Sequence, residues 1–496
     1  MKINKLIIFC SILALMLFSC EKPFDELEKD PNRAVNAPAS LILNGVLLNM
    51  YSAPWSAEQR WNQFYCSNYN YYSTNEYNWT AASFTYTTLK NVVKMEEEAK
   101  RAGAADVNPY SALGKFFRAY YFDGMTARVG DIPMTEALKG LDNTTPKYDA
   151  QKAVYVQIIK WLDEANDNLA SLITSANNTL SGDLYLGNDL RKWQKVVNTY
   201  KLRVLIRLSK KEADSELNIK QKFAEVLSNP TKFPVMTGMS DNMQFIHTAL
   251  TKYPRNPSNF GFNATRENMA KTYVDLLIER KDPRIFIVAE PAETKIKAGL
   301  SATDLNAYVG ASSGEDLADM TTKAQKGDYS FQNRKRYFSN DVGEPVFIIG
   351  YSELCFNIAE GINRGWATGN AEDYYVKGIT ASMGFYGIAD ASSVTTYLAQ
   401  TNVKYAGNTA VGLTQILVQK YIAFFQNTGM EAWFNWRRTG VPTFLTGVGT
   451  ANSGQIPKRW QYPNNERTTN KTNLEAALSS QYSGKDDVND IMWLLK

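Results

Sequence analysis

The chain has one histidine, His247, in 496 residues, which rules out metal sites built from several imidazoles. A serine triad needs only one histidine. No G-x-S-x-G nucleophile elbow occurs, however, and the MQFIHTALTKYP around His247 reads as loop packing. Cysteine is nearly as scarce: Cys10 and Cys20 fall at the extreme N-terminus, leaving Cys66 and Cys355, enough for a single disulfide but not for a disulfide framework. Neither sign of charge is in excess, with 54 Lys and Arg against 50 Asp and Glu. Without Lys2 and Lys5 the net charge is about +2, which favours neither nucleic acid nor an anionic membrane. No P-loop, dinucleotide fingerprint or EF-hand pattern occurs, and no cofactor or metal is implied. Paired carboxylates for glycoside hydrolysis meet only in the fold; Glu353 and Glu360, on one face of one helix, read as ion-pairing or capping groups. The chain reads as a binding protein and not as an enzyme.

Long apolar runs are also lacking, with one exception. Leu6 to Phe18 follows Lys2 and Lys5 and ends in Ser19 and Cys20. The run is too short to span a bilayer comfortably, so residues 1–19 read as a cleaved signal peptide rather than a transmembrane helix. Leu17-Phe18-Ser19-Cys20 resembles the lipobox of bacterial lipoproteins, which implies that Cys20 is lipidated and becomes the first residue of the mature chain. A plain secretory signal with an incidental Cys20 is the other reading. Residues 20–38, with Glu21, Asp25, Glu26 and Glu28, then form a polar tether, and residues 39–496 one binding domain.

What is abundant is helical periodicity. In DLRKWQKVVNTYKLRVLIRLSKK, Trp193, Val196, Val197, Tyr200, Val204 and Leu208 recur at helical spacing behind an Asp189 N-cap, predicting an amphipathic helix with a basic outer face. Similar stripes run from Ala153, from Leu413 and through the paired segments ELCFNIAEGINRGW and NAEDYYVKGITASMGFYGI. That last pair, and the pair within 107–172 once its middle loop is set aside, have the size of a tetratricopeptide repeat. Long excursions separate the helices at 229–263, 290–344, 392–408 and 441–470. The fold class is therefore all-α, with tetratricopeptide-like helical repeats under an irregular, loop-rich capping layer.

Aromatics make up 12% of the chain, and they are densest in YCSNYNYYSTNEYNW, residues 65–79. Tyr and Trp offer apolar faces with polar rims, and Asn a donor and an acceptor on a short stem, which together suit a sugar. Trp61, Tyr65 and Tyr69 continue the preceding helix and read as core. Tyr71, Tyr72, Asn75, Tyr77 and Trp79 are candidate ligand contacts, with contact to a partner protein and the core as the alternatives. A second candidate is the proline-stiffened KYPRNPSNFGFN, where Tyr253, Arg255 and Asn256 mix a ring with hydrogen-bonding groups; protein interfaces favour the same residues. In EAWFNWRRTGVP, Trp433, Trp436, Arg437 and Arg438 read as packing and helix C-terminal partners.

Several segments together carry a resemblance: the lipobox, FDELEKDPN, RVGDIPMTEAL, WQKVVNTYKLRVLIRLS, KDPRI, SELCFNIAEGINRGW, QKYIAFFQNTGMEAWFNWRRTGVP and IPKRWQYPNNE. In this order, over essentially the whole chain, they resemble the SusD/RagB family of outer-membrane lipoproteins of Bacteroidota. The resemblance implies a helical-repeat fold anchored at the outer membrane and facing the exterior, with a SusC-like TonB-dependent transporter as partner. The implied ligand is an oligosaccharide in most members and a peptide in some, and a hinged lid with little sugar affinity of its own is the alternative role. It also implies that the segment after the first helix, where the ring-rich stretch lies, faces ligand and transporter.

Overall fold

The computed structural model describes residues 37–71, 73–175 and 179–496. Cys20 and Tyr72 lie outside the described residues. The frame is a succession of helices, each packed on the next: α1 (Ala39–Leu48), α2 (Tyr86–Arg101), α3 (Pro109–Val129), α4 (Gln151–Ile173), α5 (Leu190–Arg207), α6 (Tyr351–Asn363), α7 (Ala371–Phe385) and α8 (Ala410–Ala423). The short helix α9 (Glu431–Thr439) lies against α5. The pairs α3/α4 and α6/α7 are the antiparallel helical hairpins that the spacing predicts.

Local chemistry sets the ends of these helices. Asn108 accepts hydrogen bonds from the Tyr110 and Ser111 amides while Ser111 Oγ accepts from the Asn108 amide, a reciprocal cap with Pro109 in the first turn. The same helix stops at Gly130, whose φ of 105° an L side chain rarely adopts. Asp189 caps α5 by accepting from the Arg191 amide at 2.8 Å. The 392–408 excursion, however, opens with a helix, Ala391–Leu398, capped by Asp390 accepting from the Ser393 amide at 2.7 Å.

The basic outer face predicted for α5 is corrected by the structure: Lys201, Arg203 and Arg207 are buried. Neighbours cover α5 on more than one side, so each cation meets a carboxylate in the interior. Lys201 Nζ lies 2.5 Å from Asp163 on α4, Arg203 Nε 2.7 Å from Glu353 on α6, and Arg207 Nη2 2.6 Å from Glu431 on α9. Glu360, also on α6, receives Arg438 Nη2 at 3.0 Å and Arg364 at 2.9 Å. Burial alone would raise the Glu360 carboxyl, but Arg438, Lys420 and Arg364 bring it down to about 2. Arg437 donates only to backbone carbonyls, Lys458 at 2.9 Å and Ala127, and burial together with the Arg207 charge lowers it to about 9. Within the KDPRI segment Asp282 and Arg284 are likewise interior, with Arg284 Nη2 2.5 Å from Asp282 and both side chains fully buried.

The loop layer is stitched on by two short antiparallel ribbons. Strand β1 (Tyr65–Ser67) pairs with β3 (Glu267–Met269), and β2 (Met243–Phe245) with β4 (Val346–Ile349), which runs straight into α6. Tyr65, assigned to a helix by its spacing, is thus a strand residue, though a buried one. Beneath β1 a satellite apolar cluster of Cys66, Ala270, Ala311, Met320 and Tyr329 seats the helix Leu317–Lys326. Cys66 and Cys355 are both free and buried, and burial pushes each thiol up to about 12.

Two measurements test this frame. A Cβ at Gly378 on α7 would come within 2.8 Å of the Phe356 ring on α6, whereas one at Gly384 meets nothing within 4 Å. Gly378→Ala should therefore cost about 1–3 kcal/mol, while Gly384→Ala should gain up to about 1 kcal/mol, read as opposite shifts in thermal midpoint. For Glu360, the folded-state pKa lies below its ordinary 4.5. Its contribution of about 3 kcal/mol is thus complete above that pH and lost as pH falls toward 2. Glu360→Gln should flatten that part of the acid denaturation profile while lowering stability at neutral pH.

Candidate functional site

Within the ring-rich stretch the structure separates supports from surface. Asn75 is buried and exchanges two hydrogen bonds with the Ser67 backbone, at 2.8 and 2.9 Å. Tyr77 is buried with φ 55°, its hydroxyl donating to the Trp61 carbonyl at 2.7 Å and accepting from Gln63 at 3.0 Å. Trp79 stacks on Trp460 at 4.4 Å, meets Trp433 edge-on at 5.3 Å and donates to the Arg459 carbonyl. These three are corrected from ligand contacts to supports, because their faces and polar atoms are already engaged inside the protein.

The second candidate loop has the same fate. Tyr253 is fully buried and accepts from Trp55 Nε1 at 3.0 Å. Arg255 is ion-paired with Glu267 in the interior. Asn256 caps the turn Pro257–Asn259. Its proline stiffness serves packing.

Tyr71 is different: it is 81% exposed. Its ring centroid lies 6.5 Å from that of Tyr69, which is only partly buried rather than core, and the Arg266 guanidinium sits 4.2 Å over the Tyr69 ring. Arg266 in turn lines a cavity of about 600 Å³ on the loop layer, together with Asn68, Glu290, Thr321, Phe331 and Arg334. Asn68, at the end of β1, fixes the floor. It donates to Asn268 Oδ1 at 2.6 Å and to the Thr265 carbonyl at 3.1 Å, and its carbonyl accepts from Thr321 at 2.7 Å. The wall opposite is an ordered pair, Arg334 Nε 2.9 Å from Glu290. An exposed ring beside a polar cavity with fixed donors and acceptors can hold a sugar by stacking and by hydrogen bonds to its hydroxyls. Arg266, Glu290, Thr321, Phe331 and Arg334 carry no motif in the sequence, and they reach the site only through the pairing of β1 with β3 and the seating of the Leu317–Lys326 helix.

A second, inner cleft of about 300 Å³ lies among Tyr51, Glu58, Tyr120, Arg128, Arg207 and Glu431. Glu58 pairs with Arg128 at 3.4 Å and Arg207 with Glu431 through Nη2, while Arg207 Nε and Nη1 are buried with no hydrogen-bond partner among the described residues. His247 stands nearby with Nε2 3.2 Å from the Tyr51 hydroxyl and Nδ1 3.0 Å from the Thr251 carbonyl, and burial lowers its pKa. Glu353 and Glu360 are held by Arg203 and Arg438 as ion pairs. Among the described residues no three His, Cys, Asp or Glu side chains converge to hold a metal ion, and no helix is long and apolar enough to cross a membrane.

The SusD-like family, described as starch-binding and associating with the outer membrane, matches residues 31–463. Two SusD homologues from Bacteroides fragilis of known structure are each 30% identical to the chain. They superpose with TM-scores of 0.84 and 0.80, each over 93% of this chain and 100% of the other. A chitin-binding SusD homologue from Flavobacterium johnsoniae shares the fold at 20% identity, with a TM-score of 0.72 over 92% of this chain and 98% of its own. No curated protein sequence matches the chain. Helical hairpins under an irregular cap, the extent of the match and the identity to these structures lead to one conclusion: the chain belongs to the SusD-like family of glycan-binding proteins associated with the outer membrane.

Proposed function

We propose that the protein captures an oligosaccharide at the Tyr69–Tyr71 rim of the outer cavity and, without transforming it, passes it to a SusC-like TonB-dependent transporter. Residues 1–19 are then removed on export, Cys20 carries the lipid, residues 20–38 serve as tether and residues 39–496 bind ligand on the exterior face of the outer membrane. The observation that carries this reading is the exposure of Tyr71 beside a polar cavity whose floor is fixed by Asn68. The chitin-binding relative supports the sugar class. One exposed ring and a few hydrogen bonds give affinities of roughly micromolar to millimolar, suited to a cargo that must be released.

Calorimetric titration against plant, host and microbial oligosaccharides, with a peptide digest alongside, tests it. Tyr71→Ala should weaken binding to the preferred glycan about tenfold, roughly 1.4 kcal/mol of stacking and apolar contact, with the thermal midpoint unchanged. Trp79→Ala should instead cost about 3–5 kcal/mol of stability. A response to peptides alone, or glycan binding indifferent to Tyr71, would sink the sugar-platform reading.

A further inference from the structure

We infer that the outer cavity selects glycans that carry a carboxylate, uronic-acid residues, through Arg266. This rests on the binding site proposed above and specifies its ligand class.

The charges around the cavity are unequally matched. Glu290 has Arg334, which reaches it through the side chain at 2.9 Å and through the backbone amide at 2.8 Å. Glu293 has Lys297 at 2.5 Å. Arg266 also lines the cavity, yet it forms no ion pair among the described residues; the contact that positions it is the face of Tyr69, 4.2 Å away. The interior arginines described above each have a carboxylate or a set of carbonyls. Arg266 is therefore, among the described residues, the charged group lining the cavity that has no ion-pair partner.

It is also held ready for one. Stacking on a ring engages the face of a guanidinium and leaves the N–H groups at its edge available for in-plane hydrogen bonds. The chain at Arg266 is fixed on both sides: its carbonyl accepts from the Asn68 amide at 3.0 Å, and the next residue, Glu267, enters β3 and pairs with Arg255. A planar carboxylate matches the guanidinium fork, and the charge-assisted bonds so formed are about twice as strong as neutral ones. A uronic acid supplies both requirements, a ring face of C–H groups for Tyr71 and a carboxylate at the ring edge for Arg266. A neutral sugar supplies only the first. A single cation does not make a polyanion track, so the chemistry points to a carboxylate-bearing sugar rather than a phosphate backbone.

The test uses the detergent-extracted full chain and short oligomers of galacturonate, mannuronate and guluronate, each compared with its carboxyl-reduced counterpart. A sulfated oligosaccharide and a peptide digest run as further arms. At least one acidic oligomer should bind roughly tenfold or more tightly than its reduced form, and the advantage should shrink with added salt. Arg266→Gln should bring the acidic-to-neutral ratio to parity with the thermal midpoint unchanged, whereas Tyr71→Ala should weaken both ligands. Equal affinity for acidic and reduced oligomers in the unmodified protein would overturn the acid preference and leave the glycan-binding reading standing. A preference that survives Arg266→Gln, or one for sulfate over carboxylate, would overturn the assignment to Arg266 and a carboxylate. Binding of peptides with no glycan of either charge would overturn both readings.

Discussion

The ion pairs buried between α5, α6 and α9 are the constraint on which the rest of the structure depends. Arg203 with Glu353, Arg207 with Glu431 and Arg438 with Glu360 join helices that are distant in sequence. Against well-packed apolar side chains such pairs add little net stability, because two charges lose their water. Their consequence is specificity. A carboxylate buried among cations has one acceptable position, and a slip of either helix by one residue would leave an unpaired charge in the interior. The long hairpins can slide on apolar stripes, but α9 cannot slide on these pairs.

From α9 the constraint passes outward to the site. One face of α9 carries Glu431 and Arg438 into the ionic array, while Trp433 packs against Trp79 and Trp460. The Trp433 amide also donates to Asn62 Oδ1 at 2.9 Å, just ahead of β1. Gln63, Tyr77 and the Trp61 carbonyl then close a hydrogen-bonded knot under the stretch that follows. Trp79 and Tyr77 bind one end of that stretch and β1 the other, with Asn75 clasping Ser67 between them. Between these ties Tyr69 lies under the Arg266 guanidinium that lines the cavity, and Tyr71 is exposed beside Tyr69. Tyr77 and Trp79, the rings that composition alone would offer to a sugar, are buried supports, while Tyr71 is exposed.

That division explains what could be read from sequence and what could not. Helices were legible because their signals are local: the Asp189 cap and the spacing of Trp193, Val197 and Tyr200. Burial on two sides of one helix is not local. Lys201, Arg203 and Arg207 flank the apolar stripe of α5 on different sides, and their spacing is the same whether those flanks meet water or carboxylates from three other helices, so the outer face was read as basic where the structure buries it. Composition marked 65–79 as unusual, yet Tyr, Trp and Asn satisfy an interior knot and a ligand surface equally well. What separates Tyr71 from Tyr77 is the position of Trp61 and Gln63. Arg266, Phe331 and Arg334 carried no signal, since they reach the cavity by strand pairing and by the seating of a distant helix.

The same accounting of partners separates structure from recognition. Arg284, Arg438 and Arg255 each meet carboxylates of their own chain, and Arg437 meets backbone carbonyls. Arg266 is stacked on a ring, fixed by its backbone and open toward a cavity. A folded protein keeps a half-buried cation beside an aromatic face at some cost in solvation, offset in part by the attraction of the ring for the guanidinium. Under the proposed assignment, the partner of that charge is the carboxylate of the ligand. If Arg266 pairs with a ligand carboxylate as proposed, selection acts on it through affinity, whereas on Arg438, paired with Glu360 in the interior, it acts through folding.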